Sequence, residues 1–311
     1  MKYQRVIFMG TPYFAERILE TLLTAGYPVK AVVTQPDKPV GRKHVLTPSE
    51  VKLTAQKYGI DVLQPEKIRK EYEEVLRYDP DLIVTCAYGQ IVPKVILDHC
   101  LCINVHASLL PKYRGGAPMQ RVIMNGESET GMTIMQMGVG MDDGDMISKC
   151  SVPISQEDTW GSLQEKLIEA ACPLLLSTLK ELEEGTAVFT PQDASLATFG
   201  YVIRKEEEEL SFEHEDYQTL YDHARALIPV PCAYGVLSDG SKLKILALRK
   251  SDAKSEEADG TILGFMEKGI GVALKGRVLL LDEVQLEGKN KNSAREFLNG
   301  AGRKWVATRL K

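Results

Sequence analysis

Apolar residues follow two rhythms along this chain, and the change of rhythm divides it. Through the first 190 residues, short unbroken apolar runs alternate with stretches whose apolar positions recur every three or four residues. Val6-Ile-Phe-Met9 is such a run and stops at Gly10. Phe14, Ile18, Leu19, Leu22, Leu23 and Ala25 then form a helical stripe closed by Gly26. Residues 29–33, 81–85 and 101–103 read as further buried strands. Helical patterns occupy 49–58, 66–76 and a short stretch near Val95. Residues 131–137 and 146–154 read as strands, and 162–184 as an amphipathic helix. Ser162-x-x-Glu165 fits a capping box there, and Pro173 predicts a kink or break. Strands alternating with helices imply a mainly parallel, Rossmann-like α/β sheet.

After residue 190 the rhythm shortens. Residues 191–205 read as a linker. Tyr217, Leu220, Ala224 and Leu227 make one helix, ended by Pro229-Val230-Pro231. Strand patterns then recur closely at 234–237, 243–248, 261–265, 271–274 and 278–284, with turns such as Asp239-Gly240 between them. A last helix, from Ser293, is closed by Gly300. This spacing fits a small OB-like β-barrel. The expected organisation is a catalytic domain over 1–190, a linker over 191–205, and a second domain over 206–311.

Composition narrows the class. With 44% hydrophobic and 26% charged residues in 311, the chain is of ordinary soluble globular type. No apolar run approaches the ~18–20 residues that span a bilayer. The opening residues read as a strand, not a leader. Six cysteines are scattered without metal or disulfide spacing, which implies reduced thiols in a cytoplasm and no required metal. The net charge of −5 argues against broad nucleic-acid binding. It is unevenly spread. Residues 206–239 carry one Arg against nine acids, and residues 240–311 carry fifteen Lys/Arg against nine acids. On charge alone, the basic tract is better read as a solvated β surface than as a phosphate-contacting face.

The chemistry-bearing stretch is Asn104-Val-His106-Ala-Ser108-Leu109-Leu110-Pro111-Lys-Tyr113-Arg114, which follows the run Leu101-Cys102-Ile103. That run is expected to stop at Asn104, where a proline-punctuated loop begins. In open α/β sheets, chemistry sits at the carboxyl ends of strands. Asn104 and His106 are two apart, so on extended backbone they face one side and deliver an amide donor and an imidazole together. Alone, such a pair is more often a strand-end amide beside a satisfied histidine. Residues 35–48 form a long loop carrying Arg42-Lys43-His44, and loops of that length are often functional. A nicotinamide site is disfavoured, because Gly10 is only one of the three glycines of G-x-G-x-x-G. The methionines from Met132 to Met141 read mainly as core filler.

The run from His106 to Pro118 resembles the signature of the folate-dependent formyltransferases. Met141-Asp142-Asp-Gly144-Asp145-Met146 resembles the same family's second motif, and Gly10-Thr11-Pro12 and Gln35-Pro36-Asp37-Lys38 resemble its tRNA-acting branch. The resemblance implies formyl transfer from 10-formyltetrahydrofolate, as co-substrate, to the amine of methionyl initiator tRNA, by a cytoplasmic monomer. It implies Asn104 and His106 at the tetrahedral oxyanion, with Asp142 orienting His106 and helping to move the proton. It places Ser108, Leu109, Leu110 and Pro111, with Tyr88-Gly89, around the folate. It gives Arg42 and Lys43 to the tRNA. The alternatives are a formyltransferase acting on an amino sugar or ribonucleotide amine, and a non-catalytic folate- or RNA-binding protein. The chain departs from the family pattern in the glutamate run 206–209 and at Val230, where the family usually has Trp.

Overall fold

Strand β1 (Val6–Gly10) is buried at every position and leads into helix α1 (Tyr13–Thr24) through a two-residue turn. Gly10 is required there, since a Cβ would lie 2.6 Å from Ala15 Cβ and 2.8 Å from the Cys86 carbonyl oxygen. The computed structural model describes residues 2–40 and 44–311. There follow β2 (Val29–Val33), β3 (Lys38–Val40), β4 (Val45–Thr47), α2 (Glu50–Lys57), β5 (Asp61–Leu63), α3 (Ile68–Glu71), α4 (Glu73–Leu76), β6 (Leu82–Cys86), α5 (Lys94–Leu97) and β7 (Leu101–His106). Then come α6 (Pro118–Met124), β8 (Glu129–Gln136), β9 (Met146–Pro153) and α7 (Trp160–Glu184).

Seven strands form one sheet in the order β5-β2-β1-β6-β7-β8-β9. The first four ladders are parallel, and β8 and β9 add antiparallel pairs. From β1 the chain moves outward to β2 and β5 on one side, then returns to β6 and β7 on the other. Such a reversal opens a crevice at the strands' carboxyl ends.

Local readings needed correction. Residues 35–48 are not all loop, because β3 and β4 pair antiparallel. Their base is tied down by Lys52, whose Nζ lies 2.7 Å from Asp37 Oδ2 and 2.8 Å from Gln64 Oε1. β5 escaped notice because it is three residues long and only Leu63 is buried. β7 does not stop at Asn104, because Asn104, Val105 and His106 pair with Met135, Ile134 and Thr133 of β8. α7 starts two residues early. Its reciprocal cap is Thr159 with Ser162, at 3.0 and 3.2 Å, not Ser162 with Glu165. The helix also runs through Pro173. Leu167, Ala171, Leu175 and Leu179 are fully buried on both sides of it, and that packing offsets the missing backbone bond.

The chain divides into two compact units. One comprises Met1–Pro118, Glu129–Pro153 and Gln164–Tyr201, and the other Met119–Ser128, Ile154–Leu163 and Val202–Lys311. In the second, α8 (Tyr217–Ala226) is capped by the Asp216 carboxylate. Next come β10 (Tyr234–Val236), β11 (Lys242–Lys254), β12 (Ile262–Met266), β13 (Gly269–Leu274), β14 (Arg277–Leu286), β15 (Lys291–Ser293) and α9 (Ala294–Asn299). Their antiparallel sheet runs β10-β11-β14-β13-β12, with β15 on β14. The C-terminal residues join its two edges. The Ala307 and Leu310 amides donate to the carbonyls of Ile262 and Gly260, and Lys311 exchanges bonds with Val236. β15 was missed, being short and polar, and β11 is longer than its apolar stretch suggested.

Two arginines hold the upstream segments within this unit. Arg225, 2% exposed, bonds Asp222 at 2.6 Å and the carbonyls of Ser155 and Asp158 at 3.1 and 2.6 Å. Arg121 grips Glu207 with two bonds of 2.6 and 3.1 Å. The Arg121 guanidinium, set against the cost of burial, holds the Glu207 carboxyl down at about 2. Glu207 is therefore a structural anion within the acidic run. Among the described residues, no helix is long and apolar enough to cross a membrane.

Candidate active site

The carboxyl ends of β6 and β7 bring Thr85 and Asn104 side by side in parallel register. The Thr85 hydroxyl donates to Asn104 Oδ1 at 2.8 Å, which fixes which end of the amide is the acceptor. Nδ2 donates to Asp142 Oδ1 at 3.3 Å. Two positions on, His106 is 5% exposed, and its Nε2 donates to the Tyr113 carbonyl at 3.0 Å. Its Nδ1 faces Asp142 Oδ2 at 3.6 Å. Asp142 Oδ2 also accepts from the Gly115 amide at 2.8 Å. One carboxylate thus lies between the two strand-end side chains. The ring is held by the Tyr113 carbonyl at one nitrogen, with the Asp142 carboxylate just beyond hydrogen-bond reach of the other.

The turn carrying Asp142 is crowded, and its glycines follow from that. A Cβ on Gly144 would sit 1.9 Å from the Gln136 carbonyl oxygen, and one on Gly138 would sit 2.3 Å from Asp143 Oδ1. Beside the turn lies a cleft of about 360 Å³, lined by Gln90, Val92, Asn104, Met135, Met137 and Asp142 among others. That volume falls in the ordinary range for ligand pockets, ~300–1,000 Å³. The methionines divide. Met132 is core, Met135 is buried but lines the cleft beside Met137, and Met141 is exposed at its rim.

The other singled-out residues sit as follows. Ser108 is fully buried, and its hydroxyl donates to the Lys112 carbonyl at 2.6 Å. Leu110 is buried, and its amide donates to Thr133 Oγ1 at 3.2 Å. Leu109 and Pro111 are half-buried. The Tyr88 ring is in the core, where burial raises the phenol's pKa, and its hydroxyl has no hydrogen-bond partner among the described residues. The Tyr88 carbonyl accepts from Thr11 and Gln35, and Gly89 is exposed at φ +86°. Arg42 and Lys43 lie outside the described residues. Among the described residues, no group of three His, Cys, Asp or Glu is placed to hold a metal ion.

Sequence reading missed Thr85, Met137 and Gln192. Thr85 was detectable as the last polar residue of a buried strand. Gln192 gave no such sign, although its amide nitrogen donates to the carbonyls of Asp142 and Gly144 at 2.8 and 2.7 Å. The stretch expected as a linker is bound along residues 111–117 and 146. Thr190 exchanges bonds with Met146, Arg114 with Thr198 and Gly200, and Ala117 donates to Gly200.

Comparison with known proteins places this arrangement. The family model described as Formyl transferase matches residues 4–179, and the one described as Formyl transferase, C-terminal domain, matches 202–302. The methionyl-tRNA formyltransferase of Halalkalibacterium halodurans is 47% identical over 303 residues, covering 96% of this chain and 95% of that protein. That of Geobacillus thermodenitrificans is 48% identical over 311 residues, covering 98% and 97%. Among solved structures, the HypX of Aquifex aeolicus in complex with tetrahydrofolic acid matches with a TM-score of 0.72 at 15% identity. The match covers 99% of this chain and about half of that one, 49%. An N-formyltransferase of Helicobacter canadensis, in complex with folinic acid and dTDP-3-aminofucose, matches with a TM-score of 0.67 at 18% identity, covering 89% and 98%. At those identities the structures speak for the fold alone, whereas the relatives align from end to end. The chain belongs to the formyl transferase family, and within it to the methionyl-tRNA formyltransferases.

Proposed function

We propose that this protein transfers the formyl group of 10-formyltetrahydrofolate to the α-amino group of methionyl initiator tRNA, with Asn104, His106 and Asp142 as its catalytic residues. The observation that carries the residue assignment is the Asp142 carboxylate lying between Asn104 Nδ2 and His106 Nδ1. The amine attacks the formyl carbon, a C–N bond forms, and the carbonyl electrons move to oxygen. The resulting intermediate carries an oxyanion and a positive nitrogen. Asn104 keeps its second amide proton for the oxyanion, and His106 is assigned a place beside it. Asp142 relays the proton lost by the amine to N10, which leaves as a neutral amine of tetrahydrofolate as the C–N bond breaks. No covalent enzyme intermediate is needed.

We assign the cleft by the Asp142 turn, lined by Gln90, Val92, Met135 and Met137, to the pterin end of the folate. Tyr88-Gly89 and residues 108–111 do not line that cleft, and their assignment to the folate rests on the family resemblance. Arg42 and Lys43 are assigned to the acceptor end of the tRNA. The six free cysteines support a reduced, cytoplasmic setting, and we infer a monomer, which gel filtration would check. The test of the activity is to supply labelled 10-formyltetrahydrofolate with charged initiator tRNA, charged elongator tRNA, or free methionine. Label should appear as formyl-methionine on initiator tRNA. Label on a small amine alone would overturn the reading.

A further inference from the structure

Asp142 enters the site in a conformation its backbone resists. Its φ is +47°, the left-handed region that side-chain-bearing residues rarely adopt. The crowding at Gly138 and Gly144 restricts the turn but leaves its carbonyls to be satisfied. Gln192 satisfies two of them, as its Nε2 donates to Asp142 O at 2.8 Å and to Gly144 O at 2.7 Å. Both protons of that amide are thereby used. Its Oε1 accepts from Arg114 Nε and Nη2 at 3.0 and 2.8 Å, so the guanidinium decides which way the amide faces. Arg114 is 8% exposed, which fixes it in turn. The next residue, Gly115, donates its amide to Asp142 Oδ2 at 2.8 Å. The ring closes on itself. Arg114 and Gly115 hold Asp142 twice, at the backbone through Gln192 and at the carboxylate directly.

We propose that Gln192 is a positioning residue for the transfer, holding with Arg114 the Asp142 turn so that the carboxylate stays between Asn104 and His106. The inference rests on the reading of Asp142 as the proton carrier. The alternative is that Gln192 merely fastens the segment that carries it. That segment has other fastenings, in the backbone bonds of Thr190 with Met146, of Thr198 and Gly200 with Arg114, and of Ala117 with Gly200. What the side chain adds is its grip on two carbonyls of the turn. Displacement of a reacting group by ~1 Å can lower a rate by about 10²-fold.

The test is Gln192→Glu in the full chain. A glutamate keeps the length and pairs with Arg114, but sets an oxygen against two carbonyl oxygens. For a variant whose melting matches the parent, kcat should fall about 10- to 100-fold while KM for 10-formyltetrahydrofolate stays within about 3-fold. Gln192→Asn, which keeps both groups one methylene shorter, should fall between parent and glutamate, and it stands in should the glutamate variant not fold. The decisive readout is the cycle with Asp142→Asn. If Gln192 acts through Asp142, adding Gln192→Glu to Asp142→Asn should lower kcat by less than about twofold. An unchanged kcat in a folded Gln192→Glu, or an undiminished loss in the Asp142→Asn background, overturns the proposal. Should Asp142→Asn alone leave kcat unchanged, the reading of Asp142 itself is the one that fails.

Discussion

Asn104 has its amide oriented from both ends, by the Thr85 hydroxyl at Oδ1 and by Asp142 at Nδ2. Asn104→Ala removes the proposed oxyanion donor and should lower kcat by about 10²–10³-fold with little change in folate affinity. Thr85→Val removes the hydroxyl 2.8 Å from Asn104 Oδ1 and frees the amide to turn. It should lower kcat by about 10-fold, a fraction of the alanine effect. Steady-state kinetics with tetrahydrofolate titration checks both, and a silent Asn104→Ala would remove that residue from the chemistry. The Asn104–His106 pair was legible in the sequence because a two-residue step on a strand decides sidedness without tertiary information. Asp142 needed the family motif to connect it. Gln192 was not legible by any route, since its bond to Asp142 spans fifty residues and a lone Gln carries no period or spacing.

At the scale of elements, the turn between β8 and β9 is the most exacting. Gly144→Ala forces a Cβ onto the Gln136 carbonyl oxygen, where 1.9 Å is available. The turn must open, and Asp142 must move with it. We expect a lower melting temperature together with a kcat loss of at least about 10-fold; a variant that melts early yet turns over normally would show the turn to be uncoupled from the site. The tie between α6 and the acidic run gives a pH prediction. Glu207 is held at about 2, below the ordinary 4.5, so its contribution is present above about pH 4.5 and is lost as pH falls through about 2. Arg121→Met should cost about 1–3 kcal/mol near neutrality, and the gap to the parent should narrow as pH falls below about 4.5. Melting curves from pH 7 down to about 3 check this; a gap independent of pH would exclude the ion pair as its source. The main strands and helices were readable because long buried runs and stripes carry their own period. β5 and β15 were not, being three residues each with little burial. β7 was read too short because its last three residues are strand only by virtue of their partner β8.

For the molecule as a whole, charge poses the question, since an acidic protein must find a polyanion with local positive charge. The tract after residue 240 supplies fifteen Lys/Arg against nine acids. Lys289 and Arg303 are exposed there. If the tract meets phosphates, Lys289→Ala with Arg303→Ala should weaken initiator-tRNA binding and lower the slope of log K against log salt by about 1 for each phosphate no longer neutralised. An unchanged slope would leave the tract a solvated surface. Substitution is a cleaner test than truncating the chain near residue 205. Met124 packs against the buried cluster of residues 210–310, and Arg225 holds the carbonyls of Ser155 and Asp158, so truncation would strip partners from these upstream segments. The sequence could not show this interleaving, because upstream residues 119–128 and 154–163 carry no mark of the unit they join. The central claim is that the strand-end cluster performs formyl transfer on tRNA. Its most direct test is a single-turnover measurement, with saturating 10-formyltetrahydrofolate and initiator Met-tRNA, of the parent and of His106→Ala. The parent should give formyl-methionyl-tRNA, and the variant should transfer about 10²–10⁴-fold more slowly with folate still bound. Equal rates would contradict that claim and leave His106 a buried ring held by the Tyr113 carbonyl.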